Sequence, residues 1–146
     1  MGTIERHTYA TPEQVWRVLA DGWTFAAWVV GASRVRAVEP EWPAAGSRIH
    51  HSVGAWPAVL DDNTEVIEAE PGRRVLMQAR LRPFGQARVD ITLRPDGSGT
   101  RIAMWEDVVS GPATSAPQPI RQAALAPRNK ETLLRLSLLA ERRTQP

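Results

Sequence analysis

The stretch that decides the fold runs Pro127-Arg128-Asn129-Lys130-Glu131-Thr132-Leu133-Leu134-Arg135-Leu136-Ser137-Leu138-Leu139-Ala140-Glu141-Arg142-Arg143. Pro127 suits a first helical turn, where its missing N–H has no partner to lose. Strong helix formers follow, with no Gly or further Pro. Glu131 in an early turn, and Arg142 and Arg143 in the last, match the helix dipole. The spacing predicts a helix over 127–143. Leu133, Leu136 and Ala140 fall on one line, with Leu134 and Leu138 on one flank and Leu139 on the other. So wide an apolar stripe asks for a partner surface larger than one neighbouring helix.

The chain before this helix supplies such a surface. Thr3 to Ala10 reads as a first strand. Thr11-Pro12-Glu13-Gln14 then starts a helix, with Thr11 as N-cap, Pro12 at the first position and Gln14 three residues on. Val15, Trp16, Val18 and Leu19 give it an apolar face ending near Gly22, and Trp23 to Trp28 reads as a second short helix. From Ser33 the period becomes two. Strand candidates follow at 34–38, 48–53, 58–69, 74–81, 86–94 and 100–109, separated by turns rich in Gly and Pro. Asp96-Gly97-Ser98-Gly99 is a hairpin signal between the last two. Gly111 to Pro119 reads as a linker, and Gln118 to Ala126 as a helical turn or ordered loop. Successive short strands with tight turns imply an antiparallel meander. A sheet with one apolar face needs a cover, and the last helix is available for it.

Composition narrows the function classes. At 146 residues the chain is expected to form a single domain, 1–146, with a real core. It has no apolar run long enough for an integral membrane segment, no signal-peptide pattern at its start and no cysteine, so a cytoplasmic protein is expected. Charge is nearly balanced, 18 basic against 16 acidic residues, and both signs are mixed along the chain. That argues against nucleic acid as a partner. Lys130 is the only lysine, and the abundance of Arg, Ala and Pro suggests a GC-rich bacterial coding bias.

The element order resembles the helix-grip fold of the START-like, or SRPBCC, superfamily, in particular its bacterial polyketide cyclase/dehydrase-like members. The resemblance rests on the opening Ala10-Thr11-Pro12-Glu13-Gln14-Val15-Trp16, the turn Glu70-Pro71-Gly72, the strand ending Gly99-Thr100-Arg101 and the closing helix from Pro127-Arg128-Asn129 to Leu136. It implies an α+β fold: a curved antiparallel sheet of about six to seven strands, two short helices after the first strand, and a long C-terminal helix across the concave face. It also implies a cavity between sheet and helix, of the kind that holds lipids, sterols, polyketides or other apolar molecules. Only some members of the superfamily are enzymes, so the fold leaves function open.

Within that frame Glu106 is the sharpest candidate. It shares strand parity with Ile102, Met104 and Val108, so an inward face would carry its carboxylate into the cavity as a potential acid or base. The opposite parity, or a bulge, would put Trp105 inside and Glu106 in water. His51 shares parity with Ile49 and Val53 and could orient a ligand or move a proton; a plain core histidine is the alternative. Asp62 shares parity with Leu60, Thr64 and Val66 and could meet His51 across neighbouring strands. The acidic run Asp61 to Glu65 could equally be an exposed edge or bulge. Arg80 and Arg82 could neutralise an acidic head group, or form a solvated strand face. Trp28, Trp56, Met77, Met104 and Trp105 are candidate walls, with Leu133 and Leu136 contributed by the helix. Six Trp against one Tyr and two Phe favour an apolar pocket of ordinary small-molecule size. His50 and His51 point to opposite faces and make a poor metal pair, so neither a metal nor a cofactor is expected.

Three functions follow. The first is binding of an apolar or amphipathic small molecule, oriented by Glu106 and His51. The second is polyketide-cyclase-like aldol cyclisation or dehydration, with the same two residues as the acid and base. The third is a non-catalytic protein-interaction module whose cavity is merely core. Oligomeric state is open.

Overall fold

A computed structural model describes residues 2–54, 57–81 and 85–142. The elements in order are β1 (Ile4–Thr8), α1 (Pro12–Ala20), a 3-10 turn (Gly22–Thr24), α2 (Phe25–Trp28), β2 (Ala32–Val38), β3 (Arg48–Val53), β4 (Leu60–Glu70), β5 (Arg74–Leu81), β6 (Gly85–Asp96), β7 (Gly99–Ser110), a second 3-10 turn (Pro112–Ser115) and α3 (Gln118–Arg142). The class is α+β. The strands form one curved antiparallel sheet in the order β1-β7-β6-β5-β4-β3-β2. Strands β2 to β7 are a meander of sequence neighbours, and β1 crosses to pair with β7.

The opening of α1 forms as its sequence dictates. The Thr11 hydroxyl accepts from the Gln14 backbone N–H at 3.2 Å, and Gln14 Oε1 accepts from the Thr11 N–H at 2.7 Å. Two of the helix's unpaired donors are satisfied by this reciprocal cap. Between β6 and β7, Asp96 faces Gly99 across a two-residue turn, and Gly97 takes the left-handed φ of 62° that such a turn requires. Gly99 is needed for space, because a Cβ there would run into the Thr8 carbonyl of β1.

Strand β6 obeys period two closely, whereas β2 is broken by two register shifts against β3. In β6, Ala87, Val89, Ile91 and Leu93 are buried, while Arg88 and Arg94 are exposed. The acidic run Asp61 to Glu65 lies within β4 and pairs with β3 without a bulge, and from Thr64 onward it also pairs with β5; Asp62 and Thr64 face inward and Asp61 is exposed.

Helix α3 departs from expectation in length. It begins at Gln118, and Pro127 lies inside it. An internal proline forfeits a helical hydrogen bond, so the preceding turns need support from outside the helix. Strand β7 provides it: Arg121 donates through Nε and Nη2 to the two Asp107 carboxylate oxygens at 2.9 and 3.0 Å, and Gln122 Nε2 donates to the Glu106 carbonyl at 2.8 Å. The buried stripe is also narrower and more polar than the leucines suggest. Leu133, Leu136 and Ala140 are fully buried, joined by Asn129, Thr132 and Ser137, whereas Leu138 is half exposed. Burying each leucine contributes about 1.5–3 kcal/mol. The polar members fasten the helix. Arg6 Nε of β1 donates to Ser137 Oγ at 3.0 Å, and Thr8 Oγ1 donates to Glu141 Oε2 at 2.6 Å. Among the described residues no helix is long and apolar enough to cross a membrane.

Candidate functional site

The concave face of the sheet, α2 with the loop that follows it, and α3 enclose a cavity of about 50 Å3. Its apolar wall comes from Phe25 and Trp28 of α2, Val29 to Gly31 of the loop, Ala32 of β2, Met77 and Ala79 of β5, Val89 of β6 and Met104 of β7. Its polar members are His51, Thr64, Arg80, Glu106, Arg128 and Thr132. The volume is well below the roughly 300–1,000 Å3 of drug-sized sites, which corrects the size expected from the tryptophan content. The bulk of Trp28, Phe25 and the two methionines takes up the space that a larger pocket would need.

Glu106 faces inward and is fully buried. The alternation Ile102, Met104, Glu106 is unbroken as far as Glu106, since the one register shift against β6 falls beyond it, where pairing steps from Ala87–Val108 to Gln86–Ser110 and leaves Val109 as the extra residue of β7. The carboxylate is paired. Arg128 Nη1 lies 3.1 Å from Oε1 and 3.2 Å from Oε2, while Arg128 Nε donates to the Val30 carbonyl at 3.0 Å. One guanidinium thus joins β7 to the loop after α2. The basic half of this pair, Arg128, is not among the candidates that the sequence points to. Its place one helical turn before Thr132, which also faces the cavity, is visible only once the structure shows which side of α3 faces the sheet.

His51 is buried on β3. Its ring stacks on Phe25 with centroids 5.0 Å apart, and Phe25 meets Trp28 edge-on at 5.5 Å, so the three rings form one continuous wall. Nε2 lies 2.9 Å from Thr64 Oγ1. Burial lowers the His51 pKa to about 4; nearby Asp62 opposes that shift, and Arg36 and His50 add to it. The imidazole is therefore neutral near pH 7. Two buried nitrogens in this wall, Trp28 Nε1 and His51 Nδ1, have no hydrogen-bond partner among the described residues.

The remaining candidates divide. Met77 and Met104 line the cavity. Asp62 faces His51 in the β3–β4 register but lies off the cavity wall, and its Oδ1 accepts from the Asn63 N–H at 3.0 Å. The expected His–carboxylate contact gives way to the His51–Thr64 one, because the threonine reaches the ring from the same face of β4. Trp105 is a correction: with Glu106 inward, the pleat sends Trp105 to the other side, half buried. Leu133 and Leu136 pack in the core, and α3 presents Arg128 and Thr132 to the cavity instead. Arg80 is exposed at the rim and also borders a polar groove on the outer sheet face with Gln78 and Gln86. Trp56 and Arg82 lie outside the described residues. Among the described residues no three His, Cys, Asp or Glu side chains cluster as a metal site.

A seven-stranded sheet gripping a long helix, with an apolar cavity lined in part by a carboxylate–guanidinium pair, defines the class as a helix-grip protein. The chain belongs to the family described as polyketide cyclase/dehydrase and lipid transport, whose model matches residues 3–141. No curated protein matches it. Among solved structures it is similar to a Rhodobacter sphaeroides protein at 26% identity and TM-score 0.71, covering 94% of this chain and 89% of that one. Protein MLL2253 from Mesorhizobium loti is similar at 23% identity and TM-score 0.69, covering 99% and 98%. The di-domain ARO/CYC StfQ from the steffimycin biosynthetic pathway shares the fold at 9% identity and TM-score 0.74, covering 97% of this chain and 50% of that one.

Proposed function

We propose that the protein binds an apolar or amphipathic small molecule in the cavity between the sheet, the loop after α2 and α3. The observation that carries this reading is that neither polar candidate in this apolar cavity is poised to move a proton. Glu106 is held by Arg128, and the His51 ring is buried, stacked on Phe25 and neutral at pH 7. A general base works best with a pKa near the operating pH. His51, at about 4, is far below it. Such groups orient a ligand better than they move its protons. The family description, which includes lipid transport, supports the same reading.

A second reading, cyclase-like aldol condensation or dehydration, is favoured by one observation: Glu106 and His51 line the same cavity. Di-domain ARO/CYC proteins with this fold lend it support. The variant Glu106→Gln separates the two. It changes only ligand affinity in a binding protein and abolishes turnover in a cyclase. Turnover of a polyketide-like substrate by the wild type, lost in Glu106→Gln, would overturn the binding reading.

A further inference from the structure

We propose that the ligand of this cavity is a small amphipathic anion, its apolar tail against Met77 and Met104 and its charged head at the rim on Arg80 and Arg128. The inference rests on the cavity being a ligand site. What it adds is the charge of that ligand and the end that carries it.

The first support is a charge left uncancelled. Two guanidiniums, Arg80 and Arg128, line the cavity with one carboxylate, Glu106. His51 is neutral near pH 7, so the lining is net positive. Arg128 neutralises Glu106. The Arg80 side chain has no ion pair or hydrogen bond among the described residues. The polar groove that Arg80 also borders holds one carboxylate, Glu65, and Arg48 Nε already takes it at 2.8 Å. An arginine stays protonated at any ordinary pH. The rim therefore keeps a positive charge that an anion can answer.

The second support is spare donors. Arg128 spends Nη1 on both Glu106 oxygens and Nε on the Val30 carbonyl, which leaves Nη2 with no acceptor among the described residues. Its side chain is 30% accessible, whereas that of Glu106 is fully buried. The member of the pair open to a ligand is therefore the positive one.

The third support is how polarity divides. Phe25, Met77, Val89 and Met104 make an apolar wall, where an unpaired ion would be costly. Arg80 is exposed, so a head group beside it keeps part of its water while the tail is buried. One water-sized position takes about 10–15 Å3, so a cavity of about 50 Å3 receives a tail of about four carbons.

Four short-tailed probes test this at pH 7: pentanoate, butylphosphonate, 1-pentanol and pentylammonium. The readout is the 13C–1H methyl resonances of Met77 and Met104, assigned by their loss in Met77→Leu and Met104→Leu, with a Kd from each titration. At least one anion is expected to move both methyls and to bind about 3- to 10-fold more tightly than pentanol, the range for a charged contact at a partly solvated site. The tighter of the two identifies the head as carboxylate-like or phosphate-like. Pentylammonium is expected to bind more weakly than pentanol. The anion-to-alcohol ratio is expected to fall about threefold or more in Arg80→Gln. Raising the salt concentration should lower the same ratio in the wild type, which tests the charge without a variant. A ratio unchanged by both, or an anion that binds without moving either methyl, would overturn the proposal. If pentanol moves the methyls and neither anion binds better, the charge rule falls while the cavity reading stands. If no probe moves either methyl, both fall.

Discussion

Arg128 meets both carboxylate oxygens of Glu106 through a single nitrogen, at 3.1 and 3.2 Å, and the two partners differ sharply in exposure. The glutamate side chain is fully buried, whereas the arginine keeps 30% of its side chain accessible. Removing one member therefore differs from removing the other. Arg128→Leu leaves a buried, unpaired carboxylate and is expected to destabilise the fold by about 3 kcal/mol, the low end for broken buried pairs because Arg128 is partly solvated. Glu106→Gln keeps an acceptor for the guanidinium and is expected to cost less. Urea unfolding of both variants checks the order, and equal losses would show that the pair is energetically symmetric.

The buried His51 makes stability depend on pH. Its pKa is lowered to about 4 in the folded protein, against 6.5 in an ordinary environment. Between these values the unfolded chain binds the proton more readily, so stability falls as pH drops from about 6.5 toward 4 and levels off below. The full effect is at most about 3 kcal/mol. Urea midpoints of the wild type and His51→Phe across that window should show a slope that the variant reduces. A parallel slope in both would assign the dependence to other groups.

Helix α3 is held at two places separated by Pro127. The first turns depend on Asp107, whose carboxyl is kept below the usual carboxylate range chiefly by its hydrogen bonds from Arg121. Asp107→Asn is expected to lower amide-exchange protection over 118–126 about tenfold, in line with the loss of a charge-assisted contact. Residues 129–141, fixed by Leu133, Leu136 and the bonds to β1, should keep their protection. Uniform loss along the helix would mean that it opens as one unit.

Thr11→Ala removes the hydroxyl that accepts the Gln14 N–H. The expected cost is about 1 kcal/mol, measured by thermal or urea unfolding.

The fold was legible because its signals were local and agreed with one another: the cap at Thr11, the alternation in β6, the Asp96–Gly99 turn and the leucines of α3. Glu106 was legible for the same reason, since strict period two carried Ile102 and Met104 inward with it. The site was less so. Arg128 belongs to it through a contact across 22 positions, and no period announces such a contact. Phe25 and Thr64 reach His51 from separate elements, so a pairing guessed from one strand register named Asp62 instead. The true start of α3 was hidden because proline ordinarily opens a helix, and the contacts of Arg121 with Asp107 and of Gln122 with the Glu106 carbonyl outweigh that rule here. Cavity volume depends on how Trp28 and the methionines pack, which residue counts do not encode.

The most direct measurement is native mass spectrometry of the protein purified from its own host, set beside Ala79→Phe, which places a ring into the cavity lining. The prediction is a bound small molecule retained at one per chain by the wild type and lost from the folded variant. A wild type with no adduct, or an adduct held equally by both, would contradict a ligand site between the sheet and α3.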